Sequence, residues 1–208
     1  MKRLIVELRT ALVTTVLLGL VVCGAYPVAV WAVSQVVFPE KSNGSLVRDK
    51  SGVVRGAALL GQGFQGDGYF HPRPSAAGAN GYDGLASGGS NLGPTSETLK
   101  RQVKERIARY RQLNALGPGD SVPADAVTAS ASGLDPHIGI RNAEIQARRV
   151  VRVRGIPEEI LRGMIEAHTE GGGLLAFLGE PGVNVLRLNL ALDAVARSGG
   201  EPVGGSKP

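Results

Sequence analysis

From Thr10 to Pro39 the chain carries no charged residue, and Leu, Val, Ala and Gly dominate Ala11–Val37. A bilayer core of about 30 Å needs roughly 20 apolar helical residues, so this run predicts one transmembrane helix over residues 10–38. Tyr26, Trp31 and Phe38 fall toward its far end, where aromatic rings favour the headgroup layer. A cleavable signal has an apolar core of about 7–15 residues and a small-x-small site. This run is longer and has no such site. A lipoprotein signal would place a small residue before Cys23, where Val22 stands. A single span encloses no water-lined path, and this one carries no ionisable residue to relay an ion. Alone, the chain is neither channel nor pump.

Polar and apolar positions alternate more finely beyond the membrane segment. Ser45–Arg48 and Val53–Gly56 read as strands around the turn Asp49-Lys-Ser-Gly52, a hairpin whose glycine suits the bend. Leu99, Val103, Ile107, Tyr110 and Leu113 recur at helical spacing within 94–113, with Lys100, Arg101, Lys104, Arg109 and Arg111 mostly on the opposite side. A short turn at 123–127 precedes a second helix over 142–153, flanked by Arg141 and carrying Arg148 and Arg152 on the same face. Pro157-Glu-Glu opens a third helix, with Ile160, Leu161, Met164, Ile165 and His168 on its apolar side. His168 reads as a half-buried core or capping residue rather than a ligand, and Gly171–Gly173 stops the helix. Val183–Leu188 reads as a core strand and Asn189–Ala196 as a closing helix.

The fold class expected is therefore α+β: residues 1–9 cytoplasmic, the helix at 10–38, a small mixed α/β extracytoplasmic domain over 39–197, and a disordered Gly/Pro/Ser-rich tail at 198–208. Lys2, Arg3 and Arg9 favour a cytoplasmic N-terminus, but Lys41, Arg48 and Lys50 flank the far end and nearly balance the count. With a net charge of +5 over 208 residues, and Cys23 the only cysteine, no intramolecular disulfide can form.

Candidate chemistry is sparse. There is no phosphate loop, nucleophile elbow or Cys/His metal ladder. Asp49-Lys-Ser-Gly resembles the phosphorylated sequence of P-type ATPases, yet nothing later supplies a nucleotide domain, so it reads as a polar turn. Asp67, Asp83 and Asp135 could gather a cation only if the fold converged them; loop aspartates more often bond their own turns. No metal and no nucleic acid is expected. Ser87, Gly88, Gly89, Ser90 and Asn91 form a small-residue run ahead of a helix, a place where backbone N–H groups can cradle an anion.

One stretch resists reading as a linker. Residues 69–93 are rich in Gly, Ser, Ala and Pro, yet Tyr69, Phe70, His71, Arg73, Tyr82, Asp83 and Asn91 are set among them. Together with Tyr26-Pro27, Asn43–Leu46, Gly61–Phe64, Gly68–Ser75, Ser87–Leu92, Ala129–Asp135 and Val183–Asp193, all in this order, it closely resembles the C subunit of the Kdp potassium-transporting ATPase. Gly139-Ile-Arg replaces the usual Ser/Thr-Pro. The resemblance implies an accessory subunit of a bacterial inner-membrane complex that imports K⁺ at the expense of ATP, with the N-terminus cytoplasmic and the domain outside. Its implied partners are a channel-like subunit, a P-type ATP-hydrolysing subunit and a small fourth subunit. It also implies a part in assembly and a catalytic-chaperone role raising the ATP affinity of the hydrolysing subunit. The complex would be the enzyme and this chain would not. No cofactor of its own is implied, only ATP through the complex, with Ser87–Asn91 the first place to look for nucleotide contact. Tyr69, Phe70, Arg73, Tyr82, Asp83, Asn91 and Asp135 are the expected docking residues. An independent membrane-anchored envelope- or lipid-binding domain, using Arg141, Arg148 and Arg152, is the alternative.

Overall fold

The computed structural model describes residues 2–49, 51–171 and 179–198. Lys50, Gly172, Gly173 and all of the expected tail except Ser198 lie outside the described residues. Two bodies are distinguished, one ending at Leu46 and the other beginning at Val47.

The first body is a helix running from Lys2 to Val37. It comprises α1 (Lys2–Gly19), a π-helical stretch at Leu20–Ala25, and α2 (Tyr26–Val37). The widened turns sit just ahead of Pro27. Proline has no N–H, and its ring crowds the carbonyl four residues back, so an extra residue in the preceding turn relieves the clash. At about 1.5 Å per residue the helix is about 54 Å long, more than a hydrocarbon core needs. None of its side chains is buried. It is long and apolar enough to cross a membrane. Phe38 ends it, a short α3 (Pro39–Ser42) follows, and Asn43 closes the corner by donating to the carbonyl of Pro39 and to Gln35 Oε1.

The hairpin expected over 45–56 is present as β1 (Leu46–Arg48) and β2 (Val54–Ala57). The Asp49 carboxylate organises its turn. It accepts from the N–H of Ser51 and Val53 and from Ser51 Oγ, and it pairs with Arg55 at 2.7 Å. These bonds hold its pKa well below the usual carboxylate range, the Ser51 and Arg55 side chains contributing most. The aspartate is a turn-former.

The rest of this body is a three-stranded antiparallel sheet covered by helices. The strands are β3 (His137–Gly139), β4 (Thr169–Glu170) and β5 (Gly182–Asn184), in the order β3-β5-β4. Ile138 lies opposite Val183, and Thr169 faces Val183 from the other side. The helices are α4 (Glu97–Asn114), α5 (Ile140–Arg154), α6 (Glu158–Ala167) and α7 (Val185–Ser198). Ser96 caps α4, accepting from the N–H of Leu99. Gly155 closes α5 in the left-handed conformation that glycine adopts freely. His168 closes α6, its ring Nδ1 2.7 Å from the carbonyl of Met164, in the half-buried capping place expected.

Three expectations are corrected. The core strand over 183–188 stops at Asn184, and Val185 begins α7. Asn184 Oδ1 accepts from the N–H of Arg187, so it caps a helix where alternation suggested extended chain. The buried positions Val185, Leu188 and Leu192 recur at three and four, the helical period. The first helix starts at Glu97 rather than Pro94, and the second at Ile140 rather than Asn142.

Ile138 and Val183 of the sheet, Ala143, Ala147 and Val150 of α5, Leu161 and Ile165 of α6, and Leu188 and Leu192 of α7 form the core with Phe70. Leu161 is fully buried. Leu161→Ala should cost about 2–5 kcal/mol through lost transfer energy and the cavity left behind. Denaturant unfolding of the full chain in detergent micelles checks this; a change under about 1 kcal/mol would mean the site can collapse.

Candidate functional site

The core-facing stripe of α5 is interrupted by polar side chains, Asn142, Gln146 and Arg149, all buried. Buried polar groups must be paired to be tolerated, and here they are paired with the 69–93 segment and its surroundings. Gln146 Oε1 accepts from the N–H of His71 at 2.7 Å, and its Nε2 donates back to the His71 carbonyl at 3.0 Å. On α7, Asn189 does the same for Phe70: Oδ1 accepts from its N–H and Nδ2 donates to its carbonyl, both at 2.9 Å. Two side-chain amides thus satisfy both backbone groups of consecutive residues, as neighbouring strands would in a sheet. Between these latches the Phe70 ring sits in the core, 0% exposed.

The latch continues inward. Gln146 Nε2 also donates to Asn142 Oδ1, which accepts from the Tyr110 hydroxyl at 2.8 Å. Asn142 Nδ2 in turn donates to Asp125, and the same oxygen accepts from the N–H of Gly139. Arg149 is 2% exposed and is held by neutral oxygens: Asn114 Oδ1, Gln146 Oε1 and the carbonyl of Asp67. Burial pushes its pKa down, opposed by the field of Asp67. Burial likewise lowers His71, the bond from its ring to the Gly66 carbonyl opposing and Arg149 reinforcing.

Farther along, residues 73–89 lie on the second small-residue segment, 130–135. Ser75 Oγ donates to the Gly133 carbonyl and accepts from the N–H groups of Ala77 and Tyr82. The carbonyl of Ser132 accepts from the Gly88 N–H and from Ser87 Oγ. Gly133, at φ +68°, would place a side-chain carbon 2.7 Å from the Ala77 nitrogen, so only glycine fits there. Gly89 likewise lies against the Ala131 carbonyl. The small residues bring two backbones together.

Each expected docking residue can now be placed. Phe70 is core, so its ring offers a partner no surface. Tyr69 stacks under the Arg154 guanidinium, 4.5 Å from the ring centre, and donates to Asp193, which also pairs with Arg154 at 3.0 Å. Arg73 pairs with Asp135 at 2.8 Å. The Tyr82 hydroxyl donates to the Arg73 carbonyl, and burial pushes its pKa up to about 12. Asp83 accepts from the Leu85 N–H. Asn91 is exposed in a left-handed turn at φ +51°. Arg73 is brought together with Asp135 and, through its carbonyl, with Tyr82; the others serve different parts of the same loop. Asp67, Asp83 and Asp135 do not converge, and no metal-holding cluster of three acidic, His or Cys side chains occurs among the described residues. In Ser87–Asn91, the Ser87 hydroxyl and the Gly88 N–H are occupied by Ser132. The helix beyond starts six residues after Asn91, behind Glu97.

The latch residues Gln146, Asn189, Asn142 and Arg149 were missed as functional positions. Their signal was available: on α5, polar residues 142, 146 and 149 recur at four and three on a face that otherwise reads apolar.

A family profile described as KdpC, the c chain of K⁺-transporting ATPases, matches residues 8–194. The potassium-transporting ATPase KdpC subunit of Myxococcus xanthus is 55% identical over 188 residues, covering 89% of this chain and 85% of that protein. The same subunit of Nitratidesulfovibrio vulgaris is 53% identical, covering 90% and 94% respectively. That of Mycobacterium bovis is 50% identical over 192 residues, covering 92% and 98%.

Two outcomes test the latch. Gln146→Leu removes both bonds to His71 and an acceptor of Arg149, and should cost about 2–4 kcal/mol by leaving buried groups unpaired. Hydrogen exchange at the His71 amide should accelerate sharply, and unchanged protection would show the latch is incidental. His71 has its folded pKa below the ordinary imidazole value of 6.5. The unfolded chain therefore takes up the proton first, and the stability tied to neutral His71 is present above 6.5 and lost as pH falls below it. His71→Asn should flatten that part of the stability–pH curve measured by denaturation.

Proposed function

The chain belongs to the KdpC family, the c chain of K⁺-transporting ATPases, and from that premise we propose that it is the accessory subunit that holds such a potassium-uptake complex together. One helix at its front is long and apolar enough to span the bilayer. We assign residues 1–9 to the cytoplasm and the folded domain to the outer side of a bacterial inner membrane. The channel-like subunit carries the ions, the P-type subunit hydrolyses ATP, and a small fourth subunit completes the set. This chain contributes contacts.

The observation that carries the reading is the latched loop. A tether needs no buried arginine, no paired amides and no glycine-only approach between backbones, whereas a surface that must be presented in one shape needs all three. The subunit raises the ATP affinity of its catalytic partner through those contacts. Ser87–Asn91 is a poor nucleotide cradle, because two of its donors already serve Ser132. With the domain outside, cytoplasmic ATP is in any case across the bilayer.

Complex purified without this chain should be less stable in detergent and need several-fold more ATP for half-maximal turnover. Adding the full chain should restore both. An ATP dependence indifferent to the chain would sink the chaperone role, and failure to co-purify with the ATPase subunits would favour an independent lipid-binding domain.

A further inference from the structure

The far end of the membrane-length helix is concave. α2 ends at Phe38, where the backbone leaves helical geometry and turns into α3. Trp31, Ser34, Phe38 and Lys41 recur at three and four down one side of this corner, and with Ser42 they line a concavity of about 580 Å³. Trp31 is 63% exposed and Phe38 53%, large rings left uncovered by their own chain. The Lys41 ammonium lies 5.7 Å from the centre of the Phe38 ring and pairs with no carboxylate among the described residues, its neighbour Glu40 included. The two hydroxyls are already occupied: Ser34 donates to the Val30 carbonyl at 2.8 Å and Ser42 to that of Phe38 at 2.9 Å. The donors left over are the Trp31 indole N–H at one end and the Lys41 cation at the other, with an aromatic wall between them.

Depth decides what such a place meets. No charge occurs from Thr10 to Pro39. At about 1.5 Å per residue that run is about 45 Å long, the thickness of a bilayer with both headgroup layers rather than of its core of about 30 Å. Centred on the core, it leaves Trp31 near the edge of the acyl region, Phe38 in the headgroup layer and Lys41 at its outer limit. Rings with one polar edge suit the ester level of a lipid, and an ammonium on a flexible stem suits the phosphate level. A free anion in water gains little from one exposed lysine. A lysine held at the surface of a leaflet favours a lipid of net negative charge by about fivefold.

We propose that this concavity binds the headgroup region of an anionic phospholipid, with its phosphate on Lys41 and its glycerol esters against Trp31 and Phe38. The site depends on the bilayer placement assigned above, and it adds the lipid class and the residues that hold it.

Trp31 is the only tryptophan in the chain, so its fluorescence reports this place alone. The test reconstitutes the full chain in vesicles mixing phosphatidylglycerol with phosphatidylcholine, the acyl chains of one lipid or the other carrying bromine as quencher. Brominated phosphatidylglycerol should quench Trp31 with an apparent affinity about fivefold above that of brominated phosphatidylcholine. Lys41→Gln should bring the two level, Lys41→Arg should keep the preference, and Arg48→Gln, outside the concavity, should leave it unchanged. Equal quenching in the wild-type chain overturns the inference. So does a preference that survives Lys41→Gln, that falls as far with Arg48→Gln, or that added inorganic phosphate erases at constant ionic strength. All of these leave the membrane helix standing. A chain that floats with the vesicles yet is quenched by neither lipid, as when copies cover one another, also overturns it, and a chain that does not float removes the bilayer placement as well. In the assembled complex, native mass spectrometry should find less phosphatidylglycerol retained with Lys41→Gln than with wild type. Equal retention, as when another subunit covers the concavity, overturns the inference.

Discussion

Two side-chain amides set the shape of this domain's outer loop. Backbone at Phe70 and His71 runs between α5 and α7 with no strand beside it, and its four polar groups would be stranded without Gln146 and Asn189. Each bond adds only about 1 kcal/mol net. The larger effect is the penalty for breaking one, since the Phe70–Asn189 bonds are buried and the His71–Gln146 bonds partly so. An amide is suited to this because it offers a donor and an acceptor side by side, the same pair a peptide unit offers. The helices can therefore bind extended chain as a sheet edge would, from the same buried faces that pack the core.

Everything outward follows from that seat. With Phe70 in the core, Tyr69 is delivered to Arg154 and Asp193, and Arg73 to Asp135. The chain then turns over Gly133 and Gly89, where the absence of side chains lets carbonyl and N–H groups meet directly. Composition that would read as flexibility in solution becomes the means of close packing once a partner segment of equally small residues, 130–135, lies against it. Order here comes from a few placed polar groups more than from buried area.

The coarse architecture was legible before any coordinates. Period and length announced the N-terminal helix, and helical spacing announced α4, α5 and α6, because each buries a stripe of side chains at three and four. The hairpin was legible from Gly52 and its flanks. Strands of two or three residues, such as β3 and β4, carry no periodicity to detect, and they exist only because β5 pairs with both. Val183–Asp193 misled for a reason that can be named: apolar residues at 183, 185, 186, 188, 190 and 192 satisfy both periods, and the decision fell to Asn184 as a cap. In the loop, the residues singled out for docking do make contacts, and the structure places several of those contacts within the domain. Aromatic and charged side chains in a small-residue stretch signalled contacts, but sequence does not say whether those contacts run inward or outward. Most run inward.

That inward use bears on what the chain can do. A catalytic site needs groups left reactive, a nucleophile beside a base or a cluster of ligands, and among the described residues many polar side chains of this region are paired within the domain. His71 is held neutral by burial, Tyr82 and Tyr110 are pushed away from ionisation, and Arg149 is surrounded by neutral oxygens. The His71 and tyrosine shifts make those groups less able to exchange a proton near neutral pH, the opposite of the tuning that general acid–base work requires. An arrangement of this kind serves rigidity. In a chain that also carries a helix long and apolar enough to cross a membrane, an ordered surface of this kind suits a subunit of a larger complex, because order already present need not be gained on binding.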